Sequence, residues 1–146
     1  MTTREQIVKL AESQLHVAYH DHAMLEGVGF DCAGLPMWAY KKVGLLPQHL
    51  TLPPYSPQAW LKRTEDRTYL DMVLQYFDEI TLDEVMPGDL ILYKLVMSWT
   101  HGAIVCRFPD YVIHAVKDLG KVIGTHAYEG ALKGNPIRFF RVRGIE

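Results

Sequence analysis

The chain has 146 residues, with 15 Lys and Arg against 17 Asp and Glu, giving a formal net charge of −2. It is 49% hydrophobic and 22% charged, the balance of a globular domain, which excludes a disordered or collagen-like chain. The small net charge argues against a protein built to grip nucleic acid or an anionic membrane, and the length suits one domain over 1–146.

Two cysteines, Cys32 and Cys106, are too few for a disulfide framework, whereas 7 histidines are many for this length. The most apolar run, Leu90 to Trp99, is too short to span a bilayer and contains Lys94, so no membrane insertion is expected. Met-Thr-Thr-Arg-Glu-Gln shows no positive-then-apolar signal pattern, so the chain is expected to be made in the cytoplasm without a signal peptide.

Thr2 with Glu5, or Thr3 with Gln6, can form a capping box, and Ile7, Leu10, Ala11 and Leu15 predict an amphipathic helix over about 4–15. His16 to Gly29 reads as a loop. Asp31 is placed as an N-cap for a second helix with Leu35, Trp38, Ala39 and Val43 on one stripe, ending near Gly44. Pro36 removes a backbone donor and predicts an irregular first turn. Pro47, Pro53, Pro54 and Pro57 make 45–58 largely irregular, with a short helical turn around 57–63. A third helix is predicted over about 66–77, with Leu70, Val73, Leu74 and Phe77 inward. Strands then follow at Leu90–Tyr93, Gly102–Arg107, Tyr111–Val116, Lys121–Gly124 and Ile137–Val142, with turns at Pro87-Gly88-Asp89 and Phe108-Pro109-Asp110. Helices first and strands second predict an α+β fold, with N-terminal helices packed on a mostly antiparallel sheet.

Cys32 stands at a predicted helix start. The positive end of the helix dipole and its unpaired N–H groups favour thiolate over thiol, and the same N–H groups can serve as an oxyanion hole. Small Ala33 and Gly34 leave room for a substrate backbone. On position alone, a buried structural cysteine stays an open reading. Cys106, mid-strand in Ala-Ile-Val-Cys, reads as a core residue.

His101, Ala103 and Val105 share one face of their strand, and Gly102, Ile104 and Cys106 the other. With an even hairpin loop, His101 and His114 come onto one face. A loop of Cys106 to Pro109 sets them directly opposite, and a loop of Arg107 to Asp110 sets them diagonally. An odd loop or a bulge separates them. A histidine held by a second polar group is the arrangement of a general base. By the same parity, Cys106 cannot be the thiol of that site. His16, His20 and His22 could bind a metal only on a helix, and the loop pattern argues for polar cleft lining, so no metal or cofactor is expected. His49 and His126 read as surface residues. Arg138, Arg141 and Arg143 form no single basic stripe, a poor nucleic-acid footprint.

Phe30-Asp31-Cys32-Ala33-Gly34-Leu35 resembles the nucleophile motif of the NlpC/P60 cysteine peptidases. Pro87 to Tyr93 resembles their strand leading to the catalytic histidine, Trp99 to Val105 their histidine strand, and Ile113-His114-Ala115 the strand of the third catalytic residue. The four motifs stand in family order from about Tyr19 to Phe140. The segment before the cysteine and Pro53-Pro54-Tyr55 are similar to phage-type cell wall members. Ala33 stands where Ser is frequent, Gly102 where Val is usual, and Pro36 where an aliphatic residue is common.

The resemblance implies a papain-like fold and hydrolysis of an amide in a peptidoglycan stem peptide, of the D-glutamyl–diamino acid type. It implies Cys32 as nucleophile, His101 as general base and His114 as its orienting residue. Tyr19 would reach the oxyanion region, with Asp31, Ala33, His20 and His22 lining the substrate cleft. It also implies phage or prophage origin, with phage tail proteins as partners and association with the virion or release to the cell wall. Two other readings carry different expectations: a degenerate interaction module of a phage tail, and a papain-like amidase or acyltransferase on another substrate.

Overall fold

The computed structural model describes residues 1–53 and 65–146. The helical turn expected around 57–63, with Pro54, Tyr55 and Pro57, lies outside the described residues.

Helix α1 spans Thr3–Ser13 and begins with the Thr2–Glu5 capping box, the first of the two the sequence offers. Its Ile7 and Ala11 are fully buried, as the helical spacing requires. Strands β1 (Met24–Leu25) and β2 (Gly29–Phe30) form a short antiparallel hairpin within the expected loop. Helix α2 spans Gly34–Lys42 and helix α3 spans Thr68–Tyr76. Leu74 of α3 is on the exposed side rather than inward, because Tyr69, Leu70, Met72 and Val73 form the buried face. Phe77 is buried as expected, but it closes α3 through its N–H to Val73 O and opens strand β3, Phe77–Ile80.

Strands β4 (Leu90–Leu95), β5 (Ser98–Arg107), β6 (Tyr111–Val116), β7 (Lys121–Thr125) and β8 (Ile137–Val142) complete a 6-stranded sheet in the order β3-β8-β4-β5-β6-β7. Every pairing is antiparallel. One face carries Leu90, Leu92, Ile104, Ile113, Ala115 and Phe140 against the helices. The other carries Ile91, Tyr93, Ala103, Val105, Val112 and Phe139, covered by Ala127 and Leu132 of the β7–β8 connection. The sheet is therefore buried on both faces, which explains its near-continuous apolar strands.

The segment after α1 crosses between the two sheets. His16 N–H bonds Val122 O and Tyr19 N–H bonds Gly120 O along the β7 edge, while Phe30 N–H bonds Ala18 O. This covers an open sheet edge and holds Tyr19 in place.

The Pro87-Gly88-Asp89 turn is tied to both ends of the chain. Asp89 is 1% exposed and bonds Arg4 Nη1 at 3.0 Å, Arg141 Nη2 at 2.9 Å and the Met86 N–H at 2.9 Å. Arg4 also donates to the Pro87 and Glu146 carbonyls, and the Tyr40 hydroxyl donates to the Gly88 carbonyl. A buried carboxylate removed from such a cluster leaves Arg4 without its counter-charge. Asp89→Ala should therefore lower unfolding stability by about 3–5 kcal/mol. Urea unfolding checks this, and a loss under about 0.5 kcal/mol would contradict it.

Candidate active site

Asp31 is fully buried and works as an N-terminal cap. Its Oδ1 accepts the Gly34 N–H at 2.6 Å and its Oδ2 accepts the His22 N–H at 2.9 Å. The first helical bond, Leu35 N–H to Asp31 O, already encloses Cys32, so the thiol lies in the opening turn. That turn is irregular as Pro36 predicts, since Pro36 has no N–H to return to the Cys32 carbonyl. Regular helix starts only at Gly34.

The close packing here explains two glycines. A Cβ on Gly34 would lie 2.0 Å from the Ala23 carbonyl oxygen, so the room beside Gly34 is taken by backbone. A Cβ on Gly102 would lie 2.8 Å from the Tyr69 hydroxyl and 3.1 Å from the Cys32 carbonyl oxygen. Tyr69 of α3 thus fills the space that a valine would need after His101.

Strand β5 is bulged on both sides of His101. Tyr93 faces His101 while Lys94 faces Trp99, so Thr100 has no residue opposite it on β4. Its carbonyl accepts the Cys32 thiol at 3.0 Å. At the other end, Val105 faces Val112 and Arg107 faces Tyr111, so Cys106 is the extra residue. The Phe108-Pro109-Asp110 turn is odd in length. Turn and bulge each shift the side-chain alternation by one place, and the two shifts cancel. Ala103 therefore falls opposite His114, with His101 its diagonal neighbour on the same face.

The two imidazoles meet. His101 Nε2 lies 2.8 Å from His114 Nδ1, with the rings at 86°. Tyr93 packs edge-on against His101, and its hydroxyl donates to Ala127 O. His114 Nε2 lies 2.9 Å from Thr125 Oγ1. Thr125 escaped the sequence reading. The short Asp118-Leu119-Gly120 turn, which sets the β6–β7 register, is the signal that could have placed it.

Cys32, His101 and Tyr19 line one cleft of about 300 Å³, together with Thr100, Ala115, Val116, Lys117 and Asn135. Of the other residues expected there, Ala33 and Asp31 are fully buried and are not among the lining residues. Ala33 packs into the helix–sheet core instead, and Asp31 is occupied in capping. His20 and His22 do not line the cleft either. The His20 ring lies over Gly29, and His22 lies at positive φ with its N–H bound to Asp31. Cys106 is half-buried beside the helix-side core, away from the cleft. Among the described residues, no group of His, Cys, Asp and Glu could hold a metal ion.

Burial governs ionisation. It pushes the Cys32 thiol up to about 12, with the Asp31 charge adding, against a smaller opposing effect from the Gly102, Cys32 and Ala33 N–H groups. The N–H groups at the helix start favour thiolate, as the sequence predicts, but burial outweighs them. Burial likewise lowers His101 to about 4, and burial followed by the His101 charge lowers His114 to about 2. Burial, then the charges of Cys32, Asp31 and Asp21, raises the Tyr19 phenol far above its usual range. At neutral pH Cys32 is a thiol and Tyr19 a phenol in the cleft, and both the cleft imidazole of His101 and that of His114 behind it are neutral.

No family profile matches the chain, and no curated protein does. Solved structures do. NlpC2 from Trichomonas vaginalis matches at 18% identity with TM-score 0.67, covering 97% of this chain and 46% of that one. The peptidoglycan hydrolase RipB from Mycobacterium tuberculosis matches at 23% identity with TM-score 0.61, covering 99% and 65%. RipD from Mycobacterium tuberculosis, a non-catalytic NlpC/p60 domain protein adapted to peptidoglycan binding, matches at 18% identity with TM-score 0.61, covering 97% and 98%. The chain thus spans less than half the length of the Trichomonas structure. These likenesses establish the NlpC/P60 fold.

A neutral resting thiol has a direct consequence. Alkylation of Cys32 by iodoacetamide at about pH 6 should be slower than that of a free thiol, and should climb as pH rises past ~9. Reaction faster than a free thiol at pH 6 would contradict this.

Proposed function

We propose that the protein is a cysteine peptidase that hydrolyses an amide bond in peptidoglycan stem peptides, of the D-glutamyl–diamino acid type. The observation that carries this reading is the placement of Cys32 and His101 on one cleft, with His114 bonded to His101 behind it, in an NlpC/P60 fold. The peptidoglycan hydrolase RipB among its structural neighbours supports the substrate class.

Nε2 of His101 is engaged by His114, so Nδ1 is the nitrogen left to act as base. As Sγ bonds to the substrate carbonyl carbon, its proton passes to His101 Nδ1, and the carbonyl π electrons move onto oxygen. The oxyanion is stabilised by N–H groups at the opening of α2, with the Tyr19 hydroxyl lining the same cleft. Collapse of this intermediate breaks the C–N bond, and His101 returns the proton to the leaving nitrogen. Water, activated by the same imidazole, then cleaves the thioester. Because the thiol is neutral at rest, proton transfer accompanies attack rather than preceding it. His114 accepts from His101 Nε2 and spreads the imidazolium charge.

A second reading has its own support. RipD shares the fold without catalysis, and the Cys32 thiol is bonded to the Thr100 carbonyl. That reading makes the cleft a peptidoglycan-binding surface. Mass spectrometry of muropeptides from a defined cell wall separates the two. The enzyme reading predicts cleaved stem peptides with the parent protein and with Cys106→Ala, and a loss of at least about 10³-fold with Cys32→Ala. Retention on cell wall without any released fragment would instead establish the binding module.

A further inference from the structure

His101, His114 and Thr125 form a diagonal across three neighbouring strands. On β5 and β6, His101 lies two places from Ala103, the residue opposite His114. On β6 and β7, Val112 faces Thr125 and His114 faces Ile123, so Thr125 lies two places from the residue opposite His114. All three side chains share the sheet face away from the helices. The contacts are continuous, at 2.8 Å between the imidazoles and 2.9 Å from His114 Nε2 to Thr125 Oγ1.

We propose that Thr125 is a positioning residue that sets the tautomer of both histidines by accepting the His114 Nε2–H at its hydroxyl oxygen. A neutral imidazole has one N–H and one bare nitrogen, so each contact along the row fixes the next. If Thr125 accepts, His114 carries its proton on Nε2 and is bare at Nδ1. That bare nitrogen takes the His101 Nε2–H, and His101 Nδ1 is left free to receive the thiol proton. If Thr125 donates, the whole row reverses. His114 then donates from Nδ1, and His101 carries its proton on Nδ1, where it cannot act as base.

The hydroxyl is suited to accepting. His114 is 1% exposed, while Thr125 is only partly buried at the end of β7, so its own O–H can donate to water while its lone pair faces the ring. Nothing besides the hydroxyl distinguishes Thr125 from valine in shape. Its role in catalysis rests on the peptidase reading, but its role in setting the tautomer does not.

The test is ¹⁵N NMR of the ring nitrogens in the full chain at neutral pH, alongside muropeptide kinetics. The parent should show His114 protonated on Nε2 and bare on Nδ1. Thr125→Val should move that proton to Nδ1 in about nine molecules of ten and so lower kcat about 10-fold with little change in KM, the population shift expected from losing one hydrogen bond. Thr125→Ser should restore the parent tautomer and most of the rate. A parent His114 protonated on Nδ1 would overturn the proposal without any variant. So would a folded Thr125→Val with unchanged tautomer. If the parent cleaves no muropeptide, the peptidase reading fails, and the ring spectra still decide the tautomer.

Discussion

A β-strand turns successive side chains to opposite faces, so two residues on neighbouring strands cooperate only when the turn between them preserves the count. The candidate site depends on that arithmetic. The Phe108-Pro109-Asp110 turn alone would put His101 and His114 on opposite faces. The bulge at Cys106 alone would do the same. Together they restore the alternation, and the 2.8 Å contact between the rings follows. The second bulge, at Thr100, leaves a carbonyl to receive the Cys32 thiol. Irregularities in β5 thus bracket His101, and bulges are where strands re-aim side chains.

The ionisable side chains of Cys32, His101 and His114 are buried. The helix opening that supplies N–H groups to the sulfur is itself capped by a buried carboxylate, Asp31. Cap and thiolate compete for the same positive potential, and both are removed from water. Desolvation wins, so the Cys32 thiol is held in its neutral form. The histidine row obeys the same rule. Its members are satisfied by one another and by Thr125, which lets buried imidazoles sit neutral without an orphaned donor. Gly102 belongs to this economy of space, since the Tyr69 hydroxyl occupies the volume beside it.

Much of this was legible in the sequence. Tyr111–Val116 and Ile137–Val142 are bounded as read, because turn residues punctuate both ends of each apolar run. The α1 capping box and the irregular start of α2 follow from side-chain chemistry within a few residues. Leu74 misled because helical spacing does not say which of two adjacent stripes the sheet will cover. Strand β3 was hidden because Phe77 serves the helix and the strand at once. The β1–β2 hairpin is too short to show a period. Ala33, His20 and His22 are not among the residues that line the cleft. Nearness in sequence to Cys32 does not decide which way a side chain turns: Ala33 packs into the helix–sheet core and the His20 ring lies over Gly29. Cancellation of turn and bulge lies beyond any local pattern, and so does the raised thiol, which depends on how deeply α2 is buried.

The most direct test of the account is capture of the acyl-enzyme. Intact-protein mass spectrometry on samples quenched in acid during turnover of a stem peptide should show added mass equal to the fragment on the carbonyl side of the cleaved bond. Peptide mapping should place it on Cys32. Accumulating products with Cys32 unmodified, or the added mass on another residue, would contradict the account.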